Sequence, residues 1–174
     1  AGDVVGAGPI GLPGVVIGHN GRVAWGVTAA PVDVQDLYIE RLDPEDPARY
    51  AVDGDWEAAH VIKEVIRVRG QAAPVVEEVR VTRHGPIVTP PAAAPALALR
   101  WTSHAPDRFV ETIAAVNVAR DWAEVRAALA GLRGPVINVV CADAGGTIAY
   151  QLAGQVPTRP RGGGLVPVPG WEDG

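Results

Sequence analysis

Leu12-Pro13-Gly14-Val15-Val16-Ile17-Gly18-His19-Asn20-Gly21-Arg22-Val23-Ala24-Trp25-Gly26 is the stretch on which the fold turns. Two apolar runs, Val15-Val16-Ile17 and Val23-Ala24-Trp25, flank His19-Asn20-Gly21. Asn-Gly readily adopts the positive φ angles of a tight hairpin, so the stretch reads as two antiparallel strands. Downstream, residues 34–42 supply another strand, closed by the proline-rich acidic loop Asp43-Pro44-Glu45-Asp46-Pro47. Residues 61–69 and 75–83 alternate apolar and charged side chains, the pattern of a half-exposed antiparallel pair interrupted by Gly70-Gln71-Ala72-Ala73-Pro74. Leu97-Ala98-Leu99-Arg100-Trp101 follows as a short strand after a proline-rich loop at 90–95.

Helical periodicity appears only later. Asp121 with Glu124 resembles a capping box, and Trp122, Val125, Leu129 and Leu132 recur at helical spacing until Gly131 and Gly134 end the run. Residues 109–118 are expected to be helical too, although their β-branched side chains weaken the propensity. Residues 136–142 and 147–152 form a further strand pair around Asp143-Ala144-Gly145-Gly146. The expected fold class is therefore α+β, rich in strand, with one helical segment near 109–132. No internal repeat and no linker marks a second domain, so residues 1–174 read as a single piece.

Of the 174 residues 48% are hydrophobic, enough for a folded core, and the formal charge is −5 with basic residues scattered. Neither feature suits a nucleic-acid-binding surface, and no apolar run is long enough for membrane insertion. Cys141 is the only cysteine, which excludes an intrachain disulfide. Ala1-Gly2-Asp3-Val4-Val5 and Trp171-Glu172-Asp173-Gly174 read like text from inside a domain, which makes the chain an expected interior piece truncated at both ends.

Four motifs in order carry a family resemblance: 12–26, Asp33-Val34-Gln35-Asp36-Leu37-Tyr38, Arg83-His84-Gly85-Pro86-Ile87, and Asn138-Val139-Val140-Cys141-Ala142-Asp143 with Gly146-Thr147-Ile148-Ala149-Tyr150. Together they resemble the penicillin acylase family of N-terminal-nucleophile hydrolases. The resemblance implies part of an αββα sandwich from the large (beta) subunit, matured by autoproteolysis and working beside a small (alpha) subunit and the rest of the large one. It implies hydrolysis of N-acyl compounds, such as β-lactams (antibiotic metabolism) or acyl-homoserine lactones, in the periplasm or outside the cell. The nucleophile of such enzymes is an N-terminal serine whose own α-amine is the base. Ser103, the only serine here, is internal, so the nucleophile is expected upstream and the isolated fragment is expected to be inactive.

By motif position the resemblance gives Ala29 (backbone N–H) and Asn138 (side-chain amide) the oxyanion-hole role, in which one donor contributes about 3 to 4 kcal/mol to acyl transfer. Asparagine suits the task because its amide donates without changing protonation state. Ile17, Val27 and Pro31 fall at acyl-pocket positions and make an aliphatic wall, which points to aliphatic acyl chains. Arg159 falls near the active site. Asp33 and Asp36 match acidic positions for a structural calcium ion, which needs about 6 to 8 oxygen ligands; no cofactor is expected for catalysis itself.

Plainer readings stand beside these. Asn138 alone is a polar residue at a strand end, Ala29 an ordinary alanine, and Arg159 a surface guanidinium. His19, His60, His84 and His104 lack the spacing of zinc ligands. Cys141 in an apolar strand reads as a small buried hydrophobe. The competing class for the whole chain is a non-catalytic β-rich binding or scaffold module, or a decayed homologue.

Overall fold

A computed structural model describes residues 3–91, 93–159 and 163–172. In chain order the elements are β1 (Val5–Ala7), β2 (Ile17–His19), β3 (Val23–Ala29), β4 (Gln35–Glu40), β5 (Arg49–Val52), β6 (Asp55–Ala58), β7 (His60–Ile66), β8 (Val75–Thr82), β9 (Gly85–Pro86), β10 (Ala96–Trp101), α1 (Phe109–Val118), α2 (Trp122–Leu129), β11 (Ile137–Asp143), β12 (Ile148–Ala153) and β13 (Val168–Pro169). Strand dominates and the two helices lie where the periodicity put them, the β-rich α+β class expected. The chain divides into two compact units, one from the described parts of 1–34 and 105–157, the other from those of 35–104 and 158–174.

The first unit is an antiparallel sheet in the order β1-β2-β3-β11-β12. Strand alternation sends Val23, Trp25, Val139 and Cys141 to one face, where they pack with Val116, Val125, Leu129 and Leu132 from the helical segment. Each such aliphatic side chain withdrawn from water contributes about 1.5–3 kcal/mol. Asp121 caps α2 by accepting from Glu124 N–H at 2.9 Å. Glu124 does not complete the reciprocal box: its carboxylate accepts from Arg120 N–H instead, because the Arg120 guanidinium holds it there.

The hairpin at Asn20-Gly21 is present, but its geometry differs from the sequence expectation. Gly21 has φ 80°, whereas Asn20 is not in the positive-φ region. Asn20 works through its side chain: Oδ1 accepts from the N–H groups of Arg22 and Val23, both at 2.9 Å, and Nδ2 donates to Asn117 O (3.1 Å) and Ala119 O (2.7 Å) at the end of α1. The first strand of the hairpin also starts later than expected, at Ile17. Val15 is taken by α1 instead, its N–H donating to Asn117 Oδ1 at 2.8 Å and its carbonyl accepting from Asn117 Nδ2 at 2.7 Å.

The second unit holds the sheet β10-β4-β13, the hairpin β5-β6 and the sheet β7-β8-β9. The β7-β8 pair, Ala96–Trp101 and Gln35–Glu40 follow the sequence reading closely. The β5-β6 hairpin was not anticipated, although its turn Asp53-Gly54, with φ 49° and 93°, carries a signal of the same kind as Asn-Gly. At the centre of this unit Glu40 is buried, with Oε1 accepting from Thr82 Oγ1 at 2.6 Å and lying 2.9 Å from His84 Nδ1. The His84 ring stacks on Tyr38 at 3.9 Å between centroids, so His84 braces this interior.

Candidate functional site

The β3-β11 pair positions the two residues singled out for oxyanion binding. Register places Asn138 opposite Thr28 and Ile137 opposite Ala29. Ala30 N–H donates to Val136 O at 3.2 Å, so residues 30 and 136, and by alternation 28 and 138, are the hydrogen-bonded pairs. Ala29 is then in a non-hydrogen-bonded pair, and its N–H points away from β11 toward the side on which β2 pairs only through Gly18 and His19. The end of β3 thus runs beyond its neighbour and leaves this backbone donor outside that ladder.

Asn138 lies on the sheet face opposite the helices, together with Val140 and Tyr150, which are 55% and 61% exposed. Its amide is held at three points. Oδ1 accepts from the Tyr150 hydroxyl at 2.7 Å, and Nδ2 donates to Thr28 Oγ1 at 3.1 Å and, at longer range, to Ala29 O at 3.3 Å. Asn138 and Ala29 are therefore adjacent, and the Asn138 amide is oriented with its N–H groups toward the end of β3.

The remaining candidates separate. Ile17 is exposed and shares the Asn138 face, since Gly18 sits opposite Trp25 and successive residues alternate. Val27 has the parity of Trp25, turns to the helices, and helps line a 40 Å³ apolar cavity with Val15, Phe109 and Ile113. That volume is far below the roughly 300 Å³ of a small-molecule pocket. Pro31 is exposed just past the end of β3.

In the second unit, Arg159 and Asp36, assigned to different tasks, meet each other. Arg159 Nε donates to both carboxylate oxygens of Asp36, at 2.8 and 3.1 Å, with both side chains mostly withdrawn from solvent. Asp33 belongs to the first unit and is exposed. Among the described residues no three His, Cys, Asp or Glu side chains gather closely enough to hold a metal ion, and Asp36 already shares its charge with a guanidinium. These carboxylates by themselves do not fit a calcium ion.

Two members of the Asn138 network escaped the sequence reading, Thr28 and Tyr150. Leu152 is the cross-strand partner of Asn138, and Tyr150 stands two residues away on the same face, within diagonal reach for a long aromatic side chain. The Asp143-Ala144-Gly145-Gly146 turn set that register and was the signal available. Cys141 faces the core at 4% exposure, and burial, with a smaller contribution from Asp143, pushes its thiol pKa up, away from nucleophilic character. Among the described residues no helix is long and apolar enough to cross a membrane.

The strand-rich α+β fold and its likeness to known proteins together define the class of protein. The penicillin amidase family profile matches residues 1–174. An acyl-homoserine lactone acylase, QuiP, of Pseudomonas fluorescens is 36% identical over 168 residues, covering 93% of this chain and 20% of that protein. Penicillin G acylase of Escherichia coli is 32% identical over 173 residues, covering 97% and 20%. The solved thermostable penicillin G acylase from Alcaligenes faecalis superposes with a TM-score of 0.85 at 32% identity, covering 97% of this chain and 31% of that one. The chain belongs to the penicillin amidase family, and it spans about a fifth of the length of the curated relatives it matches.

Proposed function

We propose that this chain is the oxyanion-binding part of an amidohydrolase that cleaves N-acyl compounds. The observation that carries the reading is the adjacency of the Ala29 N–H, directed off the β3-β11 ladder, and the Asn138 amide held in one orientation. Attack on an amide carbonyl moves charge onto its oxygen, and two donors held in place beforehand stabilise that charge, Asn138 Nδ2 exchanging its long 3.3 Å contact with Ala29 O for the charged oxygen. The nucleophile is a serine outside this chain, freed by autoproteolysis, with its α-amine as base. It forms an acyl-enzyme that water then hydrolyses. The small subunit and the rest of the large subunit complete the site, and residues 1–174 alone are inactive.

The aliphatic character of Ile17, on the Asn138 face, and of Pro31, just past the end of β3, favours straight-chain acyl groups over phenylacetyl, whereas Val27 faces the helices, away from Asn138. The relatives named for acyl-homoserine lactones fit this better than those named for penicillins. Rates of the full-length enzyme on straight-chain and phenylacetyl amides decide it, and a clear phenylacetyl preference rejects it. For the central reading, Asn138→Ala in the intact enzyme lowers kcat by about 10²–10³ while maturation proceeds; unchanged turnover refutes the role. A structural calcium ion at Asp33 and Asp36 requires its other ligands from the rest of the protein and release of Asp36 from Arg159. Isothermal titration of the whole protein showing no binding at millimolar calcium rejects it.

A further inference from the structure

We infer that Tyr150 is the positioning residue of the oxyanion site, anchoring the Asn138 amide at Oδ1 so that Nδ2 stays directed at the developing charge. The inference rests on the reading of Asn138 as an oxyanion donor. An asparagine amide has nearly the same shape after a 180° flip, but the flipped form places an acceptor where a donor is needed. The Tyr150 hydroxyl donates to Oδ1 at 2.7 Å, the shortest of the three contacts made by this amide. The Tyr150 and Thr28 hydroxyls can each donate or accept, so neither by itself discriminates between the orientations. Ala29 O only accepts and selects the orientation with Nδ2 toward the end of β3, through a long contact of 3.3 Å, and in that orientation the Tyr150 hydroxyl is the donor that anchors Oδ1.

The sheet explains why a tyrosine does this. Tyr150 stands opposite Val140, and Leu152 stands opposite Asn138, so the phenol reaches Asn138 along the sheet diagonal. The ring is 61% exposed and outside the helix-facing core, so its place is not explained by packing in that core. A hydrogen bond received at Oδ1 also polarises the amide and strengthens donation from Nδ2. Tyr150 touches no reacting atom in this account; it acts through Asn138.

The test uses the mature full-length enzyme. Tyr150→Phe keeps the ring and removes the donor, and it lowers kcat about ten-fold with KM within about two-fold, a fraction of the 10²–10³ carried by a whole oxyanion donor. In an Asn138→Ala background the same change has no further effect on kcat. If Asn138→Ala leaves kcat unchanged, the underlying reading falls and this one with it. If Asn138→Ala is slow but Tyr150→Phe matches the wild type, or slows the double variant as much as the single, the positioning role alone is overturned. A second measurement needs no variant: in a crystal structure of the wild-type enzyme with a boronate inhibitor bound, the Tyr150 hydroxyl lies within hydrogen-bond distance of Asn138 Oδ1. A separation beyond about 3.5 Å overturns the inference.

Discussion

Replacing Asn20 separates two jobs that one side chain performs, closing the hairpin and tying it to α1. In Asn20→Ala four hydrogen bonds are lost, two accepted from Arg22 and Val23 N–H and two donated to Asn117 O and Ala119 O. A typical intramolecular hydrogen bond contributes about 1 kcal/mol net, and the exposed Arg22 contact less, so the loss totals about 3 kcal/mol. A change of 1.4 kcal/mol is a factor of ten, so hydrogen exchange through local opening of residues 14–26 accelerates about a hundred-fold. Asn20→Asp keeps both turn acceptors but points a carboxylate at two carbonyl oxygens at the C-terminal end of α1, where the helix dipole is negative. It is therefore at least as disruptive as alanine. Hydrogen exchange followed by mass spectrometry on the intact protein reads both variants in peptides covering 14–26 and 109–119. If Asn20→Asp exchanges within about three-fold of the wild type while Asn20→Ala does not, the tie to α1 contributes nothing and the reasoning fails.

Thr82→Val removes the hydroxyl that donates to buried Glu40 Oε1 and accepts from His84 N–H, which costs about 2–3 kcal/mol and lowers the melting temperature; a variant within about 0.5 kcal/mol of wild type contradicts the account of that cluster. Asp143 has its pKa lowered chiefly by the backbone N–H of Thr147 and then that of Trp122. Because the folded value lies below the ordinary 3.8, its stabilisation is complete above that pH and disappears as pH falls through the depressed value. Unfolding midpoints measured across acid pH become less pH-dependent in Asp143→Asn, and an unaltered profile counts against the assignment. The buried Cys141 thiol reacts with iodoacetamide much more slowly in the native protein than after denaturation; equal rates show that the strand is open to solvent.

Local signals made much of the fold legible. Alternation marked β7 and β8, Asp121 and the 122–132 periodicity marked α2, and Asp143-Ala144-Gly145-Gly146 marked the β11-β12 turn, because each depends on neighbours a few residues away. The late start of β2 was not legible, since Val15 is claimed by Asn117, 102 residues distant, and nothing near Val15 announces that partner. The Asp53-Gly54 hairpin was legible and passed over.

For the candidate site the division runs along the same line. The residue types and their order were enough to single out Ala29 and Asn138, because a family motif is a property of the chain read in one dimension. Whether they are neighbours and which way the Ala29 N–H points depend on the β3-β11 register, which pairs Ile137 with Ala29 and Asn138 with Thr28 across the chain, while the Tyr150 grip on Oδ1 depends on the nearer β11-β12 pairing. Tertiary structure also set Ile17 and Val27 on opposite faces and gave Asp36 to Arg159. Strand parity and ion pairing are decided by which partner arrives, and a linear sequence states the donors and acceptors without stating whom they meet.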